Sequence, residues 1–230
     1  MQGMTKRFLI TVLLCAGLLP FPTLAQGTSD KAPMVCGAND KKIEDAACLK
    51  KFKGLFTRNG DKLTLQLDSG KSKTYVANNA ACINHNVEKC VAFRVMQYFP
   101  QTQSYLIARG YYEGADFLFI SRRTGSELEV SNILALSPNA KFLVGIDQDE
   151  TGERKFDIAI WSMATDPPRQ EFKYAAKQYE NWEIAAWKDD THINMKAWIN
   201  GEKSYDQEAE LVRKAKGWSL VLGKKTDRPR

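Results

Sequence analysis

Seven consecutive residues, Asp147-Gln148-Asp149-Glu150-Thr151-Gly152-Glu153, carry the pattern of oxygen donors with the clearest chemical logic in the chain. Oxygens at alternate positions followed by a sixth-position glycine match the opening half of an EF-hand calcium loop, in which side chains converge on the ion. Asp147, Asp149, Thr151 and Glu153 are thus the candidate Ca²⁺ ligands, and calcium is the one cofactor the sequence offers. Position twelve is Ile158 where an EF-hand has a bidentate glutamate. A solvated acidic hairpin is the competing reading.

Carboxylates could also work in pairs, as an acid and a base or nucleophile flanking a glycosidic bond. Asp147, Asp149, Glu150, Asp189 and Asp190 supply such groups, although acidic turns have the same composition. The two histidines, His85 and His192, form no His-Glu-x-x-His motif, and no Gly-x-Ser-x-Gly elbow or phosphate-binding glycine loop is present. His192 alternates with Asn194 and Lys196 opposite Ile193, Met195 and Ala197, which puts it on the wetter face of a strand. The catalytic inventory is thin, and binding is the expected activity. Tyr111-Tyr112-Glu113 in a turn is the best surface candidate, because aromatic turns often anchor interfaces. With Asp147, Asp149 and Glu150 it makes up the predicted binding set.

The first residues read as a signal peptide over 1–25: Lys6-Arg7, the apolar run Phe8 to Leu19, and Ala25 at the cleavage point. Cys15 has Leu14 before it, not the small residue of a lipid-anchor signal. No later segment reaches the roughly 20 apolar residues that span a bilayer. A periplasmic or secreted protein is expected. The remaining cysteines, Cys36, Cys48, Cys82 and Cys90, are an even set suited to an oxidising compartment. Of the three connectivities, Cys36 with Cys48 and Cys82 with Cys90 close the shortest loops at the smallest entropic cost.

Charge is distributed unevenly. Residues 101–210 hold 12 basic against 19 acidic side chains, whereas 31–73 hold 10 against 5 and 211–230 hold 7 against 1. An acidic body between basic ends either pairs with those ends or steers a cationic partner by long-range attraction. Nucleic acid is excluded as a partner by export and by the lack of a groove-reading motif. Basic ends resting on anionic polymers are the remaining option.

These residues need elements to hold them. A short helix is predicted after Asn39 or Asp40, carrying Ile43, Ala46, Ala47 and Leu49 and stopped at Gly54. From Leu55 onward the period becomes two. Leu63 to Leu67 alternates, Asp68-Ser69-Gly70-Lys71 turns the chain, and Ser72 to Val76 returns. Val91 to Tyr98, Gln103 to Gly110, Asp116 to Ser121 and Ser126 to Val130 are the next strands. The expected organisation is a signal peptide (1–25), an extension with a short helix (26–54), an all-β antiparallel meander (55–223) and a basic tail (224–230). Strand edges left unpaired would admit a homodimer.

The strands also repeat. Residues 116–125 parallel 156–165, and 136–144 parallel 186–194, a spacing of about 40 to 50 residues that suits one four-stranded blade. The run Leu136-Ser137-Pro138-Asn139-Ala140-Lys141-Phe142-Leu143-Val144, with Phe156 to Trp161 after the acidic turn, resembles a blade of the WD40-like and TolB-like propeller families. The region 111–187 is similar to uncharacterised exported bacterial proteins with such repeats. This resemblance implies a small or incomplete β-propeller, with a β-sandwich as the alternative, and assigns no catalytic residue. Trp161, Trp182, Trp187, Trp198 and Trp218 are expected between sheets, with their N–H groups partnered.

Overall fold

The computed structural model describes residues 33–36, 46–147, 157–175, 180–199 and 204–228, the first three residues of 46–51 by backbone alone. The expected signal peptide and most of the expected acidic hairpin lie outside these residues. Within them the fold is all-β: four antiparallel sheets, with helix confined to short pieces.

A two-residue strand, β1 (Met34–Val35), and the helix α1 (Ala46–Lys51) come first. The first sheet is a meander of β2 (Phe56–Asn59), β3 (Lys62–Gln66) and β4 (Ser72–Val76). Helix α2 (Asn79–Ile83) and a single 3-10 turn (Val87–Lys89) follow. The second sheet is β5 (Ala92–Phe99), β6 (Ser104–Gly110), β7 (Ala115–Ser121) and β8 (Glu127–Val130), with β1 added beside β5. The third is β9 (Ile133–Leu136), β10 (Phe142–Ile146), β11 (Ile158–Ser162) and β12 (Arg169–Tyr174). The fourth is β13 (Glu180–Asp189), β14 (His192–Ile199), β15 (Tyr205–Lys214) and β16 (Gly217–Asp227). The expected strands around 63–76 and 91–130 match β3 to β8 closely. The expected boundary at 223/224 falls inside β16, whose Lys225 and Thr226 still pair with Gln207 and Asp206.

Period two explains how the sheets stack. In β6, Tyr105 and Ile107 point toward the first sheet and join Phe52, Phe56, Leu63 and Leu65, while Leu106 points the other way and joins Leu143, Ala159 and Trp161 of the third. In β10 the neighbours of Leu143, Phe142 and Val144, face the fourth sheet with Trp182, Ile193 and Leu211. The core therefore consists of three layers between four sheets taken in chain order. Middle strands are buried on both faces and read as unbroken apolar runs, as in Ile158-Ala159-Ile160-Trp161. End strands alternate, as in β3 and β14, because one face meets water.

The polar faces of the two end sheets carry cross-strand pairs. Thr64 and Thr74 hydroxyls meet at 3.2 Å on the first. Glu183, Lys196 and Glu208 lie opposite one another across three strands of the fourth, so that opposite charges alternate. Trp161, Trp182 and Trp218 are buried, whereas Trp187 and Trp198 are half-buried. Edge-to-face contacts join Trp218 to Phe142 (5.4 Å, 83°) and to Trp187 (6.0 Å, 78°). Contrary to the sequence expectation, the indole N–H groups of Trp187 and Trp218 are buried with no hydrogen-bond acceptor among the described residues. Ring packing has taken precedence over satisfying these donors.

Candidate functional site

The Tyr111-Tyr112-Glu113 turn connects β6 to β7 and is closed by a 2.7 Å bond from the Tyr111 N–H to the Gly114 carbonyl. Both tyrosines are exposed. Tyr111 is held from within its own hairpin: its hydroxyl donates to Asp116 Oδ2 at 2.6 Å, and the Arg109 guanidinium, itself paired with Asp116, sits 5.6 Å from the ring centre. Partial burial and the hydrogen bond to the Asp116 carboxylate raise the Tyr111 pKa, so the ring is a neutral phenol at any physiological pH.

Tyr112 reaches another element. Its hydroxyl lies 2.7 Å from His85 Nδ1, and the two rings meet edge to face at 5.7 Å and 73°. His85 follows helix α2, which the Asn78 side chain caps by accepting from the Ala81 N–H at 3.2 Å. The residue adopts φ 55°, a left-handed conformation uncommon outside glycine. A disulfide between Cys82 and Cys90, with Cα atoms 4.4 Å apart, closes the loop around it. Cys36 is also disulfide-bonded; the side chain of Cys48, its expected partner, lies outside the described residues. Within the closed loop Ile83 and Val87 are 75% and 56% exposed. The His85–Tyr112 contact thus joins a disulfide-closed loop bearing exposed Ile83, Val87 and Glu88 to a turn bearing exposed Tyr111, Tyr112 and Glu113, together a candidate binding platform. The sequence marked the tyrosines but gave His85 no role beyond its absence from a zinc motif. The Asn78 cap ahead of Asn79-Ala80-Ala81-Cys82 was the available signal for the missed helix.

A second feature lies between the second and third sheets, where turns from both gather at one end. Asp166, in the β11–β12 turn, is 11% exposed. It accepts hydrogen bonds from Ser121 Oγ at 2.6 Å, from Thr124 Oγ1 at 3.0 Å, from Ser126 Oγ and from Arg123 at 3.3 Å. Burial raises its pKa, but the four donors outweigh burial and hold the carboxyl below its ordinary value. Beside this clamp is a cleft of about 310 Å³ with Phe119 and Met163 in its lining and Gln101, Gln103, Ser104 and Arg123 among its polar groups.

Three of the acidic sequence candidates, Asp147, Asp189 and Asp190, lie among the described residues. Asp147 directly follows β10 and is only 7% exposed, with its N–H bonded to the Asp157 carbonyl at 2.8 Å, so it is not a solvated hairpin carboxylate. Asp149, Glu150, Thr151 and Glu153 lie outside the described residues. Among the described residues no three His, Cys, Asp or Glu side chains come together as a metal site. Asp189 and His192 belong to the β13–β14 turn: Asp189 accepts from Thr191 at 2.7 Å and lies 3.0 Å from His192 Nδ1, contacts that hold its pKa well down. Asp190 accepts from the Asn139 N–H at 2.9 Å, across to the third sheet. His192 lies opposite buried Ile193, Met195 and Ala197, as the alternation predicted. No protein-family model, curated protein or solved structure matches the chain. Among the described residues, no helix is long and apolar enough to cross a membrane.

Proposed function

We propose that this is an exported, non-catalytic binding protein of the bacterial cell envelope, of the inhibitor or immunity type, and that its partner is a cationic protein. The observation that carries the reading is the 2.7 Å contact between His85 and Tyr112. It joins a disulfide-closed loop to an aromatic hairpin, so Tyr111, Tyr112, Ile83 and Val87 are held in place before any partner arrives. Rigid aromatic anchors bind with little entropy left to lose. Exposed apolar side chains mark a protein contact when they form a contiguous patch, which Ile83 and Val87 would make with the two tyrosines. Exposed Glu88 and Glu113, on the same two segments as the tyrosines and His85, suit lysine or arginine through charge, and the tyrosine rings through cation–π attraction. The acidic excess of residues 101–210 would steer such a partner.

The scaffold reading is an open, propeller-like row of blades. Its support is positional: β7 and β11 hold the paralleled segments near 116 and 158, and each is the third strand of its four-stranded meander. The paralleled segments 136–144 and 186–194 each span a first strand, a turn and a second strand. An envelope hydrolase has less support, since Asp189 and Asp190 are committed to turns and Asp166 is the one carboxylate lining the cleft among the described residues, where paired chemistry needs two.

Placing a photo-crosslinking residue at Tyr112 in the oxidised protein, in an envelope extract, tests the binding reading. One dominant basic protein, lost on adding Ile83→Asp, is the expected product. Equal capture from a probe placed at exposed Leu222, on the fourth sheet, would overturn it.

A further inference from the structure

We propose that the cleft between the second and third sheets is a binding site for a neutral saccharide of one or two pyranose units, independent of the protein-binding platform. Three observations carry it. The first is pre-formation. Asp166 of the third sheet grips Ser121, Arg123, Thr124 and Ser126 of the second, which fixes the spacing of the two walls without help from a ligand. Its volume of about 310 Å³ sits at the small end of ligand sites, about 300–1,000 Å³.

The second is the kind of lining. Half-buried Met163 and Pro100 supply apolar surface of the sort that receives the C–H face of a sugar ring, with buried Phe119 packed beneath them. Around them, the carboxamides of Gln101 and Gln103 have no hydrogen-bond partner among the described residues and are exposed. Each carboxamide offers both donors and an acceptor, the combination that vicinal hydroxyls need. Arg123 spends one N–H on Asp166 and keeps the rest of an exposed guanidinium for further acceptors.

The third is charge. Among the described residues, the ionised groups lining the cleft are Arg123 and Asp166, and they are paired with each other. The balance is neutral, which disfavours both a phosphate-like anion and a cation. Backbone conformation adds a means of testing: Gln103, at φ 48°, holds its side chain at the cleft from a left-handed position that glycine would occupy more easily. Gln103→Gly therefore removes the carboxamide while favouring the native backbone.

The experiment is a ¹H–¹⁵N NMR titration of the oxidised protein with glucose, N-acetylglucosamine, their β-1,4-linked disaccharides and glucuronic acid. Saturable shifts in the amides of residues 101–104 and 122–124 are expected with at least one neutral sugar. Gln101→Ala with Gln103→Gly should weaken that sugar about 10-fold or more, from the loss of two hydrogen-bonding groups, with the thermal midpoint preserved. Gln101→Ala alone should weaken it by a smaller factor and serves if the double variant misfolds. Absence of saturable shifts with every neutral sugar, affinity unchanged in the variants, or glucuronate binding tighter than glucose would each overturn the proposal.

Discussion

Ser121 at the end of β7 donates a 2.6 Å hydrogen bond to the carboxylate of Asp166, 45 residues away in the turn that follows β11. This bond crosses between two sheets that share an apolar layer, and it is backed by three more donors to the same carboxylate. Removing the acceptor strands the Ser121 hydroxyl, which water reaches poorly, and that costs more than the hydrogen bond itself contributes. Asp166→Ala should destabilise the protein by about 2–3 kcal/mol, measured by urea unfolding. Loss below about 0.5 kcal/mol, the range of ordinary surface substitutions, would show that the clamp is not structural.

The same carboxylate sets a pH dependence. Its folded pKa is below the unfolded value of about 3.9, so its contribution is fully present above roughly pH 5 and is lost as pH falls through the folded value. The stability gap between wild type and Asp166→Asn should therefore be constant near neutrality and shrink as pH drops below about 4. Glu127 shifts the same way: burial raises its pKa, and Lys73 at 2.8 Å with the Tyr75 hydroxyl at 2.5 Å lowers it by more. A gap that widened on acidification would contradict the assignment.

Gly145 lies in the middle of β10, where a Cβ atom would come within 2.9 Å of the Trp161 ring and 3.0 Å of both Leu134 and Ser131 side chains. Its backbone is otherwise ordinary, so the restriction is steric. Gly145→Ala should cost about 1–3 kcal/mol by overpacking, and perturb Trp161 fluorescence. An unchanged unfolding midpoint would mean that this layer has room which the close approach denies.

Cys82 and Cys90 close a loop eight residues long, for which restriction of the unfolded chain gives about 2.5 kcal/mol. Cys82→Ala with Cys90→Ala should lose about that much stability. It should also release His85 from Tyr112, seen as a changed His85 ring resonance, and reduce cross-linking from position 112. Retained cross-linking at full yield would show that the platform does not depend on its bridge.

Much of the local structure was legible. Leu63-Thr64-Leu65-Gln66 alternates because β3 wets one face, and the turn at Asp68-Ser69-Gly70-Lys71 uses Gly70 at φ 74°. Phe142 to Ile146 lacks alternation because both its faces are covered. Helix α2 was missed because a five-residue helix leaves too short a period to detect. The tyrosine turn was visible as composition, and its surface position held. Asp147 was read as part of a solvated acidic run, although the end of a doubly buried strand draws it inward.

The amino-acid order by itself determined the strands, the turns between them and which strands have one dry face or two, because each of these depends on neighbours within a few residues. Tertiary structure alone decided that His85 meets Tyr112, 27 residues on, and that Asp166 meets Ser121. Such pairs arise where separate sheets or loops are brought side by side by burial of apolar layers. That burial is non-directional, so the polar residues it brings together leave no periodic mark in the sequence.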